Sequence, residues 1–304
     1  MKKTLLILAL LLIATTICPA FAEKNHGGSE RKTAHDADAA YAKGDYQTAY
    51  EIWLTFADKG SYAQYSLGRL YANGQGVAQS NRTARDWWQK SMRDIEQSRV
   101  LLSILPVPSD PQYTYATLHE KWQPAAAAGD ADAQYKLAIL YRTGIGVPQN
   151  DTKALVWFEK AANQNHAAAQ YQLGKIHDRS NRVPCAAAQA IQWWEKASAL
   201  GNADAQNILA LRYDMGFHLT PHYPRDECRA IALREQAAAQ GHPEAQTWLA
   251  QTYMYDQPHC NLVANRDKAR ALLEQAIANG GENTRKQAER VLYALEHNGR
   301  YPTP

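Results

Sequence analysis

Residues 133–162 read AQYKLAILYRTGIGVPQNDTKALVWFEKAA, and this stretch determines the fold. Its first half carries apolar residues at helical spacing and ends at Gly144 and Gly146, which accept the positive φ of a tight turn. In its second half the apolar positions from Ala154 to Ala161 recur at spacings of three and four, and Asp151 is the predicted cap of that helix. The stretch therefore predicts two helices joined by a glycine turn.

The same pattern recurs along the chain. An Ala-Gln pair with leucine four positions after the alanine occurs five times, at intervals of 70, 36, 36 and 40 residues. A period of this size is typical of helical solenoids, in which each helix pair buries its apolar face against the next. The sequence therefore predicts an all-α repeat protein. The five pairs are Ala63/Leu67, Ala133/Leu137, Ala169/Leu173, Ala205/Leu209 and Ala245/Leu249.

One position in every first helix holds a small residue. Glycine or alanine at that point lets the second helix approach closely, because little or no side chain stands between them. The second-helix pattern carries tryptophan or another large residue in most copies, so we expect most of the 8 tryptophans to pack in the core. The small residues are Gly68, Ala138, Gly174, Ala210 and Ala250.

The composition of the 304 residues agrees with a folded helical chain. Hydrophobic residues make up 45% and charged residues 21%, which excludes an intrinsically disordered protein. Without the first 22 residues, 31 basic residues face 30 acidic ones, and no basic run appears. We therefore expect no nucleic-acid partner.

The N-terminus has the three parts of a secretory signal. Two lysines precede an apolar stretch from Leu5 to Ile13, and Ala20-Phe21-Ala22 offers small residues at the cleavage positions. The apolar stretch is too short for a bilayer span, so we expect no stable membrane insertion after cleavage. The predicted segments are a signal peptide at 1–22 and a flexible leader at 23–33, in a periplasmic or secreted protein.

The repeats carry a family resemblance. The pattern Ala-Gln-Tyr-x-Leu-Gly-x-x-Tyr-x-x-Gly-x-Gly-Val, followed by Lys-Ala-x-x-Trp-x-x-Lys-Ala-Ala, resembles the Sel-like repeat, a relative of the tetratricopeptide repeat. The resemblance implies one right-handed α-solenoid of stacked antiparallel helix pairs over residues 34–298, followed by a tail at 299–304. Three segments depart from the pattern: a degenerate, proline-containing unit at about 93–127, and remodelled loops at 214–227 and 255–266.

Catalytic motifs are nearly absent from the sequence. There is no zinc-protease motif, no nucleophile elbow and no phosphate-binding loop. Ser29 and Lys32 have the Ser-x-x-Lys spacing of serine β-lactamases, but they lie in the leader without an accompanying Lys-Thr-Gly. We therefore predict a protein that is not an enzyme and needs no cofactor. The alternative is a protein that binds or hydrolyses β-lactam or peptidoglycan-related molecules.

Three cysteines remain after signal cleavage: Cys185, Cys228 and Cys260. In an oxidising compartment a Cys228–Cys260 disulfide between two remodelled loops is the favoured pairing, and Cys185–Cys228 is the second option. The loops also carry His218, His222 and His259, so a zinc site is an alternative. Its spacing fits no standard zinc signature, and we predict no metal.

The resemblance also implies a binding surface. In tetratricopeptide-like arrays the first helices line a concave groove, and their variable positions contact a partner protein or peptide. Trp248 additionally lies in a column otherwise occupied by small or polar residues and isoleucine, so we expect it at the surface. The predicted partner-binding residues are Tyr65, Arg69, Tyr135, Ile139, Arg142, Tyr171, Lys175, Asp178, Leu211, Asp214, Trp248 and Gln251.

The predicted groove indicates a binding function. We expect an exported scaffold that binds a partner protein, either as an immunity protein for a secreted toxin or as a periplasmic regulator. A metal-binding regulator that uses the C-terminal histidines and cysteines is a further alternative.

Overall fold

A computed structural model describes residues 30–58, 60–105, 114–178, 184–215, 225–297 and 299–300. These residues form fifteen α-helices and one 3₁₀ turn, and the described part contains no β-strand. The all-α prediction is therefore confirmed. The predicted signal peptide, most of the leader, Ser29, His218 and His222 lie outside the described residues.

The first helix pair consists of α1 (Glu30–Ala42) and α2 (Tyr46–Phe56). Helix α1 begins four residues before the predicted start of the solenoid at residue 34. Asp45 caps α2, because its side chain accepts a hydrogen bond from the backbone N–H of Thr48 at 3.2 Å. Trp53 of α2 is buried among residues of α1 and the following helix.

Five helix pairs correspond to the five Ala-Gln copies, and each first helix packs on its own second helix. Each second helix also contacts the next first helix in the three consecutive steps from residue 151 onward. The array is thus a solenoid in which neighbours bury each other's apolar faces. The pairs are α3 (Ser61–Asn73) with α4 (Asn81–Ser91), α7 (Ala131–Thr143) with α8 (Asp151–Asn163), α9 (Ala167–Asp178) with α10 (Pro184–Ala199), α11 (Ala203–Met215) with α12 (Glu227–Ala239), and α13 (Pro243–Thr252) with α14 (Arg266–Asn279).

The turns follow the glycine pattern. Gly144 has φ of 69° and Gly146 has φ of 71°, a left-handed conformation that glycine adopts at little cost. The predicted cap at Asp151 is wrong by one residue. Asn150 is the cap, since its side chain accepts from the backbone N–H of Lys153 at 2.9 Å and Asp151 is the first residue of α8.

The small residue in each first helix makes room for a large one. A Cβ on Gly68 would stand 2.3 Å from Nε1 of Trp88, and one on Gly174 would stand 2.1 Å from Nε1 of Trp194. Both indoles are fully buried, and Trp194 donates to the carbonyl of Tyr171 at 3.3 Å. Most tryptophans pack in the core as expected: Trp53, Trp88 and Trp194 are buried, and Trp87, Trp122, Trp157 and Trp193 are half-buried against the core.

The degenerate unit does not form a regular pair. Its helices are α5 (Glu96–Ile104) and α6 (Tyr115–Ala127), and α6 packs on α7 as a second helix would. Meanwhile, Asn73 at the end of α3 donates to the carbonyl of Gly144 at 2.7 Å and accepts from the N–H of Gly146 at 2.9 Å. The end of α3 therefore contacts the turn after α7 directly. Helix α5 does not lie between α3 and α7 at this point.

The C-terminal end holds a short 3₁₀ turn and a capping helix. The turn, Pro258–Cys260, lies in the remodelled loop after α13. Helix α15 (Glu282–Glu296) packs on α13 and α14.

Candidate functional site

Helix α5 occupies the surface on which a partner was predicted to bind. We define the inner face as the surface formed by the first helices α3, α7, α9, α11, α13 and α15. Helix α5 packs against α7 and its side chains bond to α9 and α11, while the turn before it bonds to α3 and α15. A nine-residue helix and the turn before it can reach five first helices only if those helices curve around them. The inner face is therefore the concave one.

Glu96, the first residue of α5, anchors the helix to α9. Its carboxylate pairs with the ammonium of Lys175, accepts from Nε2 of Gln172 at 3.0 Å and accepts from the hydroxyl of Tyr171 at 3.5 Å. Burial raises the pKa of Glu96, but the charge and hydrogen bond of Lys175, the charge of Arg142 and the hydrogen bond of Gln172 together outweigh burial, and the net pKa lies below its ordinary value. The carboxylate is therefore held ionised inside the concave face.

Arg99, one turn further along α5, anchors the helix to α11. Its guanidinium donates to Oδ1 of Asp204 at 2.8 Å, and Nε2 of His242 lies 3.3 Å from the same oxygen. Burial raises the pKa of Asp204, but its hydrogen bond to His242 and the charge of Arg99 outweigh burial and lower the pKa to about 2. One carboxylate thus links α5, α11 and the start of α13.

Asp94 links the first of the five Ala-Gln pairs to the C-terminal capping helix α15. Its side chain accepts from the hydroxyl of Ser61 at 2.9 Å and from the backbone N–H of Glu282 at 2.6 Å. The second bond meets the first N–H of α15, where a carboxylate also interacts favourably with the helix dipole. Ser61 and Glu282 are 221 positions apart in the sequence.

The predicted partner-binding residues on α3, α7 and α9 are buried or bonded within the chain. Ile139 is fully buried in the core, so its side chain does not belong to an accessible surface. Arg142 donates to Oε1 of Gln172 at 2.5 Å, and Arg69 donates to the hydroxyl of Tyr41 at 3.1 Å. The side chains of Arg142 and Arg69 therefore bond to helices of other repeats in the same chain. Buried or internally bonded residues in this set are Tyr65, Arg69, Tyr135, Ile139, Arg142, Tyr171, Lys175 and Asp178.

The C-terminal members of the predicted set lie elsewhere, in contact with solvent. Asp214, Trp248 and Gln251 line one open cleft of about 340 Å³, which we call the C-terminal cleft. Trp248 is 36% exposed, as expected for a surface indole, and Tyr255 on the same cleft is 54% exposed. Leu211 lies on α11 with Met215 one turn later, and both are exposed.

Arg234 forms the floor of the C-terminal cleft. It occupies the second-helix position at which other repeats bury Trp88, Phe158 or Trp194, and it is only 4% exposed. Its guanidinium pairs with Asp214 and lies 5.4 Å from the ring centroid of Trp248. The buried cation therefore fixes the orientation of both side chains at the cleft.

A disulfide closes one side of this region. Cys228, the second residue of α12, is bonded to Cys260 in the 3₁₀ turn, as the favoured pairing predicted. Glu227 and Gln257, which line the cleft, stand beside the two ends of this bond. Nε2 of His259 lies 3.0 Å from Oε2 of Glu227. The side chain of Cys185 lies outside the described part of the chain.

Several important residues were missed by sequence reasoning. Arg234 carried a usable signal, because a charged residue stands in a column that is otherwise aromatic or aliphatic. Asp94, Glu96 and Arg99 carried none, since their partners lie 33 to 188 residues away and no periodicity connects them.

Comparisons with known proteins agree with this architecture. A model of the Sel1 repeat matches residues 61–92, 131–166, 167–202, 203–242 and 243–281. A comparison with curated proteins gives no match. Among the described residues, no helix combines the length and the apolar character that a membrane span requires.

Several solved structures are similar to this chain. A protective antigen of uropathogenic Escherichia coli with an SLR fold matches at 26% identity and a TM-score of 0.52, covering 90% of this chain and 58% of that one. A Sel1 repeat protein from Oxalobacter formigenes matches at 25% identity and 0.46, with 90% and 91% covered. An immunity protein from Pseudomonas aeruginosa, Pa5087, matches at 17% and 0.33, with 91% and 87% covered.

The family match extends over more than half of the chain and coincides with the five helix pairs of the structure. The chain therefore belongs to the Sel1 repeat family, whose repeats form a protein–protein interaction fold.

Proposed function

We propose that this protein is a non-enzymatic scaffold that binds a partner protein at its C-terminal repeats. The observation that carries the proposal is the open C-terminal cleft, at which Trp248 and Tyr255 stand exposed around the buried Arg234. We define the docking surface as Leu211, Met215, Trp248, Gln251 and Tyr255.

The side chains of the docking surface fit a protein partner. Aromatic residues and methionine are enriched at protein interfaces, and tryptophan is the commonest side chain among the few that carry most of the binding energy. Trp248 is held in place by the Arg234 guanidinium, so little rotamer freedom is lost when a partner covers it. A rigid, half-exposed indole at the rim of a cleft suits the side chain or loop of another protein.

The rest of the concave face is a poor candidate for the same role. Helix α5 packs on α7 and its side chains bond to α9 and α11, so the charged groups there are engaged within the chain. A partner would have to displace the half-buried Glu96 and leave Lys175 without its carboxylate, which carries a free-energy cost. We therefore place the partner on the C-terminal repeats, where Asp214, Trp248 and Gln251 of the predicted set converge.

The cellular role is part of the proposal. The signal-like segment at 1–22 supports export, and the absence of catalytic motifs from the sequence supports a binding role. A secreted toxin neutralised by this protein is the partner we favour, because that task requires only a soluble exported chain and a binding surface. A periplasmic regulator of signalling is the second role.

The test measures whether Trp248 carries the binding energy. Mature protein would capture partners from periplasmic and secreted fractions, and each captured protein would be purified and titrated by calorimetry. We expect Trp248→Ala to weaken binding at least 30-fold, corresponding to about 2 kcal/mol. Tyr293→Ala serves as the matched control, since Tyr293 is 41% exposed on α15 and does not line the C-terminal cleft.

Two results would overturn the proposal. One is a partner whose affinity changes equally in Trp248→Ala and Tyr293→Ala. The other is a partner that binds both variants as tightly as the unmodified protein, which would place the interface elsewhere. Circular dichroism of each variant verifies that the repeats remain folded.

A further inference from the structure

The remodelled C-terminal loops bring three strong metal ligands together. One ligand atom each from Cys228, His259 and Cys260 lies within 4.8 Å of the other two. Two cysteines and a histidine are the ligand types that zinc prefers, and at ligand bonds of about 2.0–2.3 Å a single ion can reach three atoms at such separations after small side-chain rotations. In the structure, the Cys228–Cys260 disulfide holds this position.

Neighbouring elements support two of the ligands. Cys228 lies in the first turn of α12, so a regular helix holds its backbone in place. Glu227 lies 3.0 Å from Nε2 of His259, so its carboxylate orients the imidazole. A carboxylate behind a ligating histidine is the usual support of zinc sites.

An ion could reach these ligands without unfolding of the protein. Cys228 and His259 are exposed and Cys260 is half-buried. The two cysteines belong to neighbouring repeats, α12 and the 3₁₀ turn after α13, so an ion would link the same elements that the disulfide links.

We propose that the reduced protein binds one Zn²⁺ through the thiolates of Cys228 and Cys260 and the imidazole of His259. A dithiol supplies the two electrons and two protons that convert the disulfide into two thiols, and is itself oxidised to a disulfide. Zn²⁺ then displaces both thiol protons, and a water molecule completes the four ligands. Disulfide formation and zinc binding exclude each other, so the pair of loops has two alternative cross-links.

The test uses untagged mature protein carrying Cys185→Ser, which removes the third cysteine. The protein is reduced anaerobically with a dithiol, desalted and titrated with Co²⁺, whose thiolate charge-transfer absorbance reports cysteine ligation, and Zn²⁺ then competes for the site. We expect one equivalent of Co²⁺ to bind the reduced protein and none to bind the oxidised one. His259→Ala should weaken binding at least ten-fold, Glu227→Gln about ten-fold, and Cys228→Ser should abolish the absorbance.

The control is His177→Ala on α9, outside the cluster, which should bind like the reference protein. The proposal fails if the reduced protein shows no thiolate–Co²⁺ absorbance. It also fails if His259→Ala binds as tightly as His177→Ala, or if the oxidised protein binds equally well. Circular dichroism of the reduced protein establishes that the helices are intact, and partner binding does not enter the measurement.

Discussion

At Gly68 and Gly174, the absence of a Cβ decides which side chain can fill the core of a repeat. Each glycine accommodates a buried indole, whereas the repeat with Ala138 at the same register buries Phe158 instead. The two positions therefore form matched pairs: glycine with tryptophan, alanine with phenylalanine. Arg234 departs from both, because its repeat has Ala210 in the first helix and a buried cation in the second. The residues at this pair of positions thus distinguish the repeat that carries the cleft from the repeats whose second helix buries an aromatic ring.

Replacing Gly174 with alanine tests this pairing. The added Cβ would stand 2.1 Å from Trp194, so we expect Gly174→Ala to lower the free energy of unfolding by about 1–3 kcal/mol through overpacking. The double variant Gly174→Ala/Trp194→Phe copies the Ala138–Phe158 pair and should recover part of that loss. Urea denaturation followed by circular dichroism measures both. A double variant less stable than the single one would contradict the matched-pair interpretation.

Helix α5 is the element that distinguishes this chain from a simple stack. It is short, but its first turn and the preceding turn hold three acidic or basic groups that bond to distant first helices. Lys175 and Arg142, which were predicted to line an open groove, instead bond within the chain. Lys175 pairs with Glu96 of α5, and Arg142 donates to Gln172, which itself bonds to Glu96. The concave face is partly filled by the protein's own chain, and the surface left for a partner moves toward α11 and α13.

The Arg99–Asp204–His242 contact predicts a dependence of stability on acid. The pKa of Asp204 falls from 3.8 to about 2 in the folded state, so folding is favoured by the charged carboxylate. This contribution, about 2 kcal/mol, is fully present above pH 4 and is lost as the pH falls through 2. We expect the free energy of unfolding to decline over that window, and to decline less in Asp204→Asn.

Urea unfolding at several pH values between 5 and 2 makes the comparison. Glu96, whose pKa is also lowered, leaves a residual slope in the variant. Identical slopes for Asp204→Asn and the unmodified protein would show that the contact with α5 contributes nothing to acid sensitivity.

Across the whole molecule, stability combines neighbour contacts with a few long-range ones. Repeat arrays usually unfold repeat by repeat, because each unit contacts only its neighbours. Here α5 adds bonds to α9 and α11, and Asp94 bonds to α15, so distant repeats are joined directly. We therefore expect the array to lose its structure in one cooperative step.

The double variant Glu96→Ala/Arg99→Ala should break that cooperativity. We expect tryptophan fluorescence and circular dichroism to give coincident transitions in the unmodified protein, and separated transitions with a smaller denaturant slope in the variant. Arg270→Ala is the control, because the bridge from Arg270 to Glu296 joins only adjacent helices. Coincident transitions in the double variant would contradict the role of α5.

The fold and the site were predictable to different degrees. Helix pairs, glycine turns and small-residue columns depend on contacts within a repeat or between neighbours, so a period of about 36 residues was enough to predict them. The Cys228–Cys260 pairing followed from equivalent loops in adjacent repeats. The place of α5 was not predictable, because Pro106, Pro108 and Pro111 interrupt the pattern and the ion pairs that position α5 obey no repeat. Consequently the predicted groove residues near α5 are buried or bonded within the chain, whereas Trp248 lies at the surface as expected.

The long-range bonds of α5 and of Asp94 before it also constrain how many repeats this protein can have. Repeat arrays commonly gain and lose units by duplication and deletion, because an extra unit simply extends the stack. Here Arg99 reaches Asp204 and Asp94 reaches Glu282 only when the present number of units lies between them. One more repeat inserted after residue 166 would move both partners out of reach. The contacts of Arg99 and Asp94 therefore set the number of units that this array can hold without losing them.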